Sequence, residues 1–117
     1  MKKSLSILAV ASCLVGMAPS AMATIYCQGS VVNLYVSESG DVIFQPTYRN
    51  DYTKVCNLQG DWQGISTETC FAWYGQLMAA KIHAKNVLLQ YDGIGYTCAN
   101  ISTYGNSPKA GYVMVTD

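Results

Sequence analysis

Between residues 25 and 36 apolar and polar positions nearly alternate, with Val32, Leu34 and Val36 separated by Asn33 and Tyr35. A period of two predicts a long strand, Ile25 to Val36, with those three aliphatic residues on its buried face and Tyr35 exposed. Ser37-Glu38-Ser39-Gly40-Asp41 reads as a turn, and Val42 to Gln45 returns as a second strand. Pro46 lacks an N–H, so it ends that pairing or sits at a sheet edge. The polar run Tyr48-Arg49-Asn50-Asp51-Tyr52 is turn-prone, and Lys54 to Leu58 makes a third strand.

After the loop Gly60-Asp61-Trp62-Gln63-Gly64 the period changes. Cys70, Trp73, Tyr74, Leu77 and Met78 fall at i, i+3, i+4, i+7 and i+8, one face of a helix, and are expected to be core. Ser66 or Thr67 caps its start, and Glu68 in the first turn meets the positive end of the helix dipole. Asn86 is expected to end it in a left-handed conformation. Lys81 points toward the core face, so its stem should be buried and its ammonium should reach water. Val87 to Tyr91 resumes as strand, Asp92-Gly93 turns, and a long loop with Cys98 and Pro108 leads to a last strand, Gly111 to Thr116.

Three strands, a helix and two more strands is the order of the OB-fold. That fold is a five-stranded Greek-key barrel whose one central helix plugs the gap between strands three and four. A small sandwich accommodates a lone mid-chain helix less well.

The pattern begins only after residue 23. MKKSLSILAVASCLVGMAPSAMA has two lysines, an apolar run from Leu5 to Met17, and small residues at Ala21 and Ala23. It reads as a secretory signal peptide with an A-x-A cleavage site, leaving 24–117 as one domain. The apolar run is short of the ~20 residues of a membrane-spanning helix. A lipid anchor at Cys13 is the rival reading, and the A-x-A site accounts for the same residues better. An exported protein, periplasmic or secreted, is the expectation.

Export changes the arithmetic of charge and cysteine. From Thr24 onward five cations, Arg49, Lys54, Lys81, Lys85 and Lys109, stand against seven carboxylates, a net charge of −2. That balance offers no electrostatic case for nucleic acid. Four cysteines remain, Cys27, Cys56, Cys70 and Cys98, and in a small exported chain they read as two disulfides with three possible connectivities. No C-x-x-C pair occurs and His83 is the lone histidine, so neither a metal site nor a cofactor is expected. Catalysis is not expected either. A Ser-His-Asp or Cys-His arrangement would have to use His83, and pairs such as Asp61 with Glu68 or Asp51 with Asp61 arise by chance among seven acids.

Leu77-Met78-Ala79-Ala80-Lys81-Ile82 followed by Val87-Leu88-Leu89-Gln90-Tyr91, a leucine-containing helix with small residues, a short turn and an apolar strand running toward a cysteine, resembles the B subunits of bacterial AB-type toxins, particularly the Shiga toxin B subunit. The resemblance implies an OB-fold subunit, a homo-oligomeric ring of five with the helices lining its pore, and binding of cell-surface glycans. It also implies Cys27 bonded to Cys98, which leaves Cys56 for Cys70. The chain departs from that pattern in having Ala84 and Asn86 where those subunits end the helix with glycine, and in its second cysteine pair. None of the family's sugar-contacting residues has a counterpart here.

Candidate binding residues therefore come from the chain itself. Tyr48, Arg49, Asn50 and Tyr52 in one loop, Asp61 and Trp62 in another, and Tyr104 with Asn106 in a third combine flat apolar rings with planar hydrogen-bonding groups. Sugars need that combination, and loops rich in Tyr, Ser and Asn serve protein recognition equally well. A second surface lies on the back of the helix, where Ala72, Gly75, Gln76, Ala79 and His83 are small or uncharged. They read either as an oligomer contact, cheap to bury, or as an exposed helix favoured by alanine propensity. The function expected is a non-enzymatic, ring-forming subunit binding a glycan or other surface ligand. The alternative is a periplasmic inhibitor or immunity-type protein that binds a partner enzyme.

Overall fold

The computed structural model describes residues 23–93 and 95–117; the signal-peptide reading of residues 1–23 falls almost wholly outside them. The chain is mainly β, with strands β1 (Ile25–Val36), β2 (Asp41–Pro46), β3 (Thr53–Asn57), β4 (Asn86–Tyr91) and β5 (Tyr112–Thr116). Helix α1 (Thr67–Ile82) lies between β3 and β4. The strands form one open antiparallel sheet in the order β3-β2-β1-β4-β5. The edges β3 and β5 share no ladder among the described residues. The free side of β3 instead carries a single parallel bridge, Thr53 to Tyr104 in the loop before β5. Within the long loop, Cys98–Asn100 forms a short 3-10 turn that the sequence pattern does not announce.

β1 holds the sheet together by dividing its length between two neighbours. Residues 25–30 pair with β4 and residues 31–36 with β2. Where it changes partner the register shifts, Val31 opposite Pro46 and Asn33 opposite Gln45, so Val32 is an extra residue. The alternation expected across this strand consequently fails. Cys27 and Val31 are buried, Leu34 is half-buried, and Val32 and Val36 are exposed. The bulge frees the Val32 carbonyl, and the Lys81 ammonium donates to it at 2.7 Å. Lys81 is an exposed residue, so the burial expected of its stem is not found, and its ammonium bonds backbone at the surface.

The inner face of the sheet, with Cys27, Val31, Val42, Phe44, Val55, Val87, Leu89 and Val113, packs on Cys70, Leu77 and Ala80 of α1. Ile65, Ile101 and Ala110 close the same core. Ser66 caps the helix, its hydroxyl accepting from the Thr69 N–H at 3.2 Å. Met78, expected in the core, is 38% exposed, and its place is taken by Ala80. The helix ends at Ile82, with His83 as its C-cap and no glycine to stop it. Ala84 takes the left-handed conformation (φ 53°), and Lys85 N–H closes back on the Ala80 carbonyl at 2.8 Å. Asn86, expected in that role, is already the first residue of β4.

Two disulfides fasten the two halves of the sheet. Cys27 on β1 bonds Cys98, and Cys56 on β3 bonds Cys70 on the first turn of α1. The pairing is the one the resemblance implies. Their sequence separations are 71 and 14 residues.

Two outcomes follow from this architecture. Closing the longer loop should stabilise by about 4 kcal/mol and the shorter by about 3 kcal/mol. Replacing Cys27 and Cys98 with alanine should therefore lower the urea midpoint more than replacing Cys56 and Cys70, with non-reducing peptide mapping confirming the surviving bond. Separately, Ala84→Gly should raise stability by about 0.5 to 1 kcal/mol, because glycine occupies the left-handed region without a Cβ clash.

Candidate functional site

The outward face of β1, β2 and β3 carries a layer of aromatic side chains. Tyr35 lies directly across from Ile43, and Ile43 across from Lys54, so the three share a face. Ile43 is buried although it points away from the main core, since Phe44 beside it points inward. Tyr52, just before β3, packs edge-on against Tyr35 with ring centroids 5.7 Å apart. Tyr104 packs on the other side of Tyr52 at 6.0 Å. Tyr35 and Tyr104 remain 42% and 46% exposed.

Local bonds hold this shelf in place. The Asn33 amide donates both to Gln45 Oε1 at 3.0 Å and to the Tyr52 hydroxyl at 3.1 Å. Tyr104 sits in a left-handed conformation (φ 51°), uncommon for a bulky side chain. It is kept there by its N–H bond to the Tyr52 carbonyl, by the Ser107 N–H on its own carbonyl, and by the Thr103–Asn106 turn. Buried Ser107 also accepts the Lys54 N–H at 2.9 Å, which bonds the whole turn to the edge of β3. Strain of this kind persists only where surroundings over-determine it, and it concentrates at functional sites. Desolvation by the neighbouring rings and the charge of Asp51 both push the Tyr104 phenol above its ordinary pKa. Asp51 in turn accepts the Tyr52 N–H at 2.8 Å through one carboxylate oxygen.

The other expected site residues divide into exposed and structural. Asn50 and Asn106 are exposed. Arg49 donates from Nε to the Ile101 carbonyl at 3.1 Å, tying two loops together. Asp61 accepts the Gly64 N–H at 2.9 Å and shapes a tight turn in which Gln63 and Gly64 both have positive φ. Trp62 lies under Lys54, whose ammonium is 4.9 Å from the ring centroid and 2.8 Å from Asp41. Burial raises the Asp41 pKa, but the Lys54 and Asn57 hydrogen bonds and the Lys54 charge outweigh it, so the net shift is downward. Trp62 is half-buried against the core and stacks on a cation already paired. Tyr48 turns inward; its hydroxyl is buried beside Tyr91 with no hydrogen-bond partner among the described residues. Of the residues expected to meet a ligand, the structure joins Tyr52 and Tyr104. It adds Tyr35 and Asn33, which a reading of loops alone passes over.

On the helix, Ala72, Gly75, Gln76, Ala79 and His83 are all exposed, as expected. His83 is the residue at the helix C-terminal cap. Phe71 and Ile82 join them at 62% and 70% exposure. Nothing lies within 4 Å of where a Cβ on Gly75 would stand. A helix-interior glycine costs about 1 kcal/mol relative to alanine, and no packing within the chain calls for this one. Comparison with protein-family models, with curated proteins and with solved structures finds no match for the chain.

The buried phenols set a dependence on alkaline pH. Burial raises the pKa of both Tyr48 and Tyr91 above the ordinary value near 10. The folded chain thus holds those protons more tightly than the unfolded chain. This contribution is full below about pH 10 and is lost as pH climbs above it. Urea midpoints should fall across that range. Tyr48→Phe should flatten the fall and leave neutral-pH stability unchanged or up to ~1 kcal/mol higher, since it removes a buried unpaired hydroxyl. A clear loss at neutral pH would mean that the hydroxyl is hydrogen-bonded.

Proposed function

We propose that this chain is an exported, non-enzymatic binding protein that presents the shelf of Tyr35, Tyr52 and Tyr104 to a glycan. The observation that carries the reading is the exposed shelf itself, with Tyr104 held in a strained backbone conformation. Aromatic faces accept the C–H faces of a sugar ring, and the exposed Asn33 side chain offers a carbonyl oxygen that a sugar hydroxyl can donate to. Two disulfides suit the oxidising compartment that export supplies. The strand order, the helix between β3 and β4, and the Thr53 to Tyr104 bridge at the seam support an OB-type barrel. The resemblance to toxin B subunits points to the same class of ligand. A shelf this open binds a single sugar weakly, so useful affinity would come from repeated copies.

A glycan array probed with the purified protein should return a defined set of sugars. Tyr104→Ala should weaken that binding roughly tenfold while the protein stays folded, because nearly half of its side chain is exposed. A folded protein that binds nothing on a broad array overturns the glycan reading in favour of a protein partner, such as an enzyme it inhibits.

A further inference from the structure

Across β1, β4 and β5 the outward positions form rows, because residues paired directly opposite one another share a face. One row is Tyr26, Gln90 and Tyr112, with Gln90 on the central strand paired to both tyrosines. Their sequence neighbours Cys27, Leu89, Tyr91 and Val113 are buried, so the row points away from the core. Tyr26 is 59% exposed and Tyr112 38%. Their Cα atoms stand about 10 Å apart, two strand spacings, and Gln90 fills the position between them.

The Gln90 amide is held in one place. Its Nε2 donates to Asp92 Oδ1 at 2.7 Å, and the same oxygen accepts from the Thr24 hydroxyl at 2.7 Å. Its carbonyl end lies against Gly111, whose own N–H bonds the Gln90 backbone carbonyl at 2.7 Å. A Cβ on Gly111 would collide with Gln90 Oε1, so glycine there leaves the amide its room. The hydrogen bonds from Thr24 and then Gln90 hold the Asp92 carboxyl below its ordinary pKa, so it is ionised at neutral pH. One Nε2 hydrogen and the Oε1 lone pairs of Gln90 enter no hydrogen bond among the described residues.

We propose that Tyr26, Gln90, Tyr112 and Asp92 form a second sugar site, one that takes a neutral pyranose. The tyrosine rings offer apolar faces to the C–H side of the sugar. Between them the Gln90 carbonyl accepts from one hydroxyl, and its remaining N–H donates to another. An apolar protein surface laid on the row would strip water from the amide and the carboxylate without replacing its hydrogen bonds. Sugar hydroxyls replace them. The Asp92 charge repels an acidic sugar, which makes the ligand a neutral one. The site is separate from the shelf of Tyr35, Tyr52 and Tyr104, up to about 30 Å away along β1, and does not depend on it.

The test is an NMR titration of the isotopically labelled, disulfide-bonded protein with methyl galactoside, methyl glucoside and methyl mannoside. At least one should shift the Gln90 side-chain amide together with the backbone signals of Tyr26 and Tyr112. The uronic acid of the sugar that binds should bind about tenfold more weakly at low salt. Gln90→Ala should lower the affinity about tenfold. Gly111→Ala should lower it as well while the protein stays folded, because the group it displaces is the tip of a flexible side chain. Tyr104→Ala should leave these shifts unchanged, which separates the row from the shelf. Silence at Gln90 from all three sugars at their solubility limits overturns the proposal. So does tighter binding of the acid, or an affinity that Gln90→Ala and Gly111→Ala leave unchanged. Shifts of the row with protein concentration and not with sugar overturn it in favour of a second copy of the chain.

Discussion

One strand carries the architecture. β1 is twelve residues long, and neither neighbour pairs with all of it: β4 takes its first half and β2 its second. Without that division the β2-β3 and β4-β5 pairs would be separate two-stranded ribbons, which are marginal on their own in water. The division costs a bulge at Val32, and a bulge leaves backbone groups unpaired. Helix α1 answers that need, since Lys81 near its end bonds the freed Val32 carbonyl. The same helix packs against β1, β3, β4 and β5, so one element covers both halves. Each half also has its own covalent fastening, Cys27 to Cys98 on one side and Cys56 to Cys70 on the other.

The bulge also decides what the outer surface displays. Beyond Val32 the side chains exchange faces, which brings Leu34 inward and leaves Tyr35 outward, opposite Ile43. Tyr52 and Tyr104 then converge on Tyr35 from two loops joined by the Thr53–Tyr104 bridge and by the Ser107 hydroxyl, which accepts the Lys54 N–H. Ile43 is kept dry on a face that is otherwise solvent-exposed. The tyrosines therefore do part of the work of a second core, and their outer edges stay free for a ligand.

Much of this was legible in the sequence where local rules act alone. The strands, the Ser66 cap and the Cys70 to Leu77 face follow from periodicity and hydrogen-bonding chemistry and appear within a residue or two of where they are expected. The disulfide pairing came from the resemblance, because spacing alone leaves three connectivities open. What escaped depends on tertiary partners. Val32 and Val36 look buried until a change of strand partner inserts a bulge. Met78 looks like core until Ala80, on the other flank of Leu77, proves to be the one that faces the sheet. Ala84 holds the left-handed position against its own preference, since Asn86 is needed in the β4 ladder opposite Ser30 and Thr116. Tyr48 and Tyr52 are four residues apart in one polar run, and only the fold sends one inward and the other to the surface. For the site, Tyr35 carried a usable signal, an outward aromatic in an alternating strand. A lone tyrosine in a strand looks less like a ligand contact than the Tyr- and Asn-rich loops do.

The two surfaces that the chain leaves open lie on opposite sides of the sheet. Leu34 and Phe44 face α1, while Tyr35 and Ile43, their neighbours in sequence, face away from it. Anything that covers the back of the helix therefore leaves the tyrosine shelf uncovered. Repeated copies of such a shelf suit a ligand displayed many times on a surface, where the second contact becomes intramolecular and affinity rises without any new bond. Gly75 in α1 and the left-handed Tyr104 beside β3 each give up local stability at an exposed position.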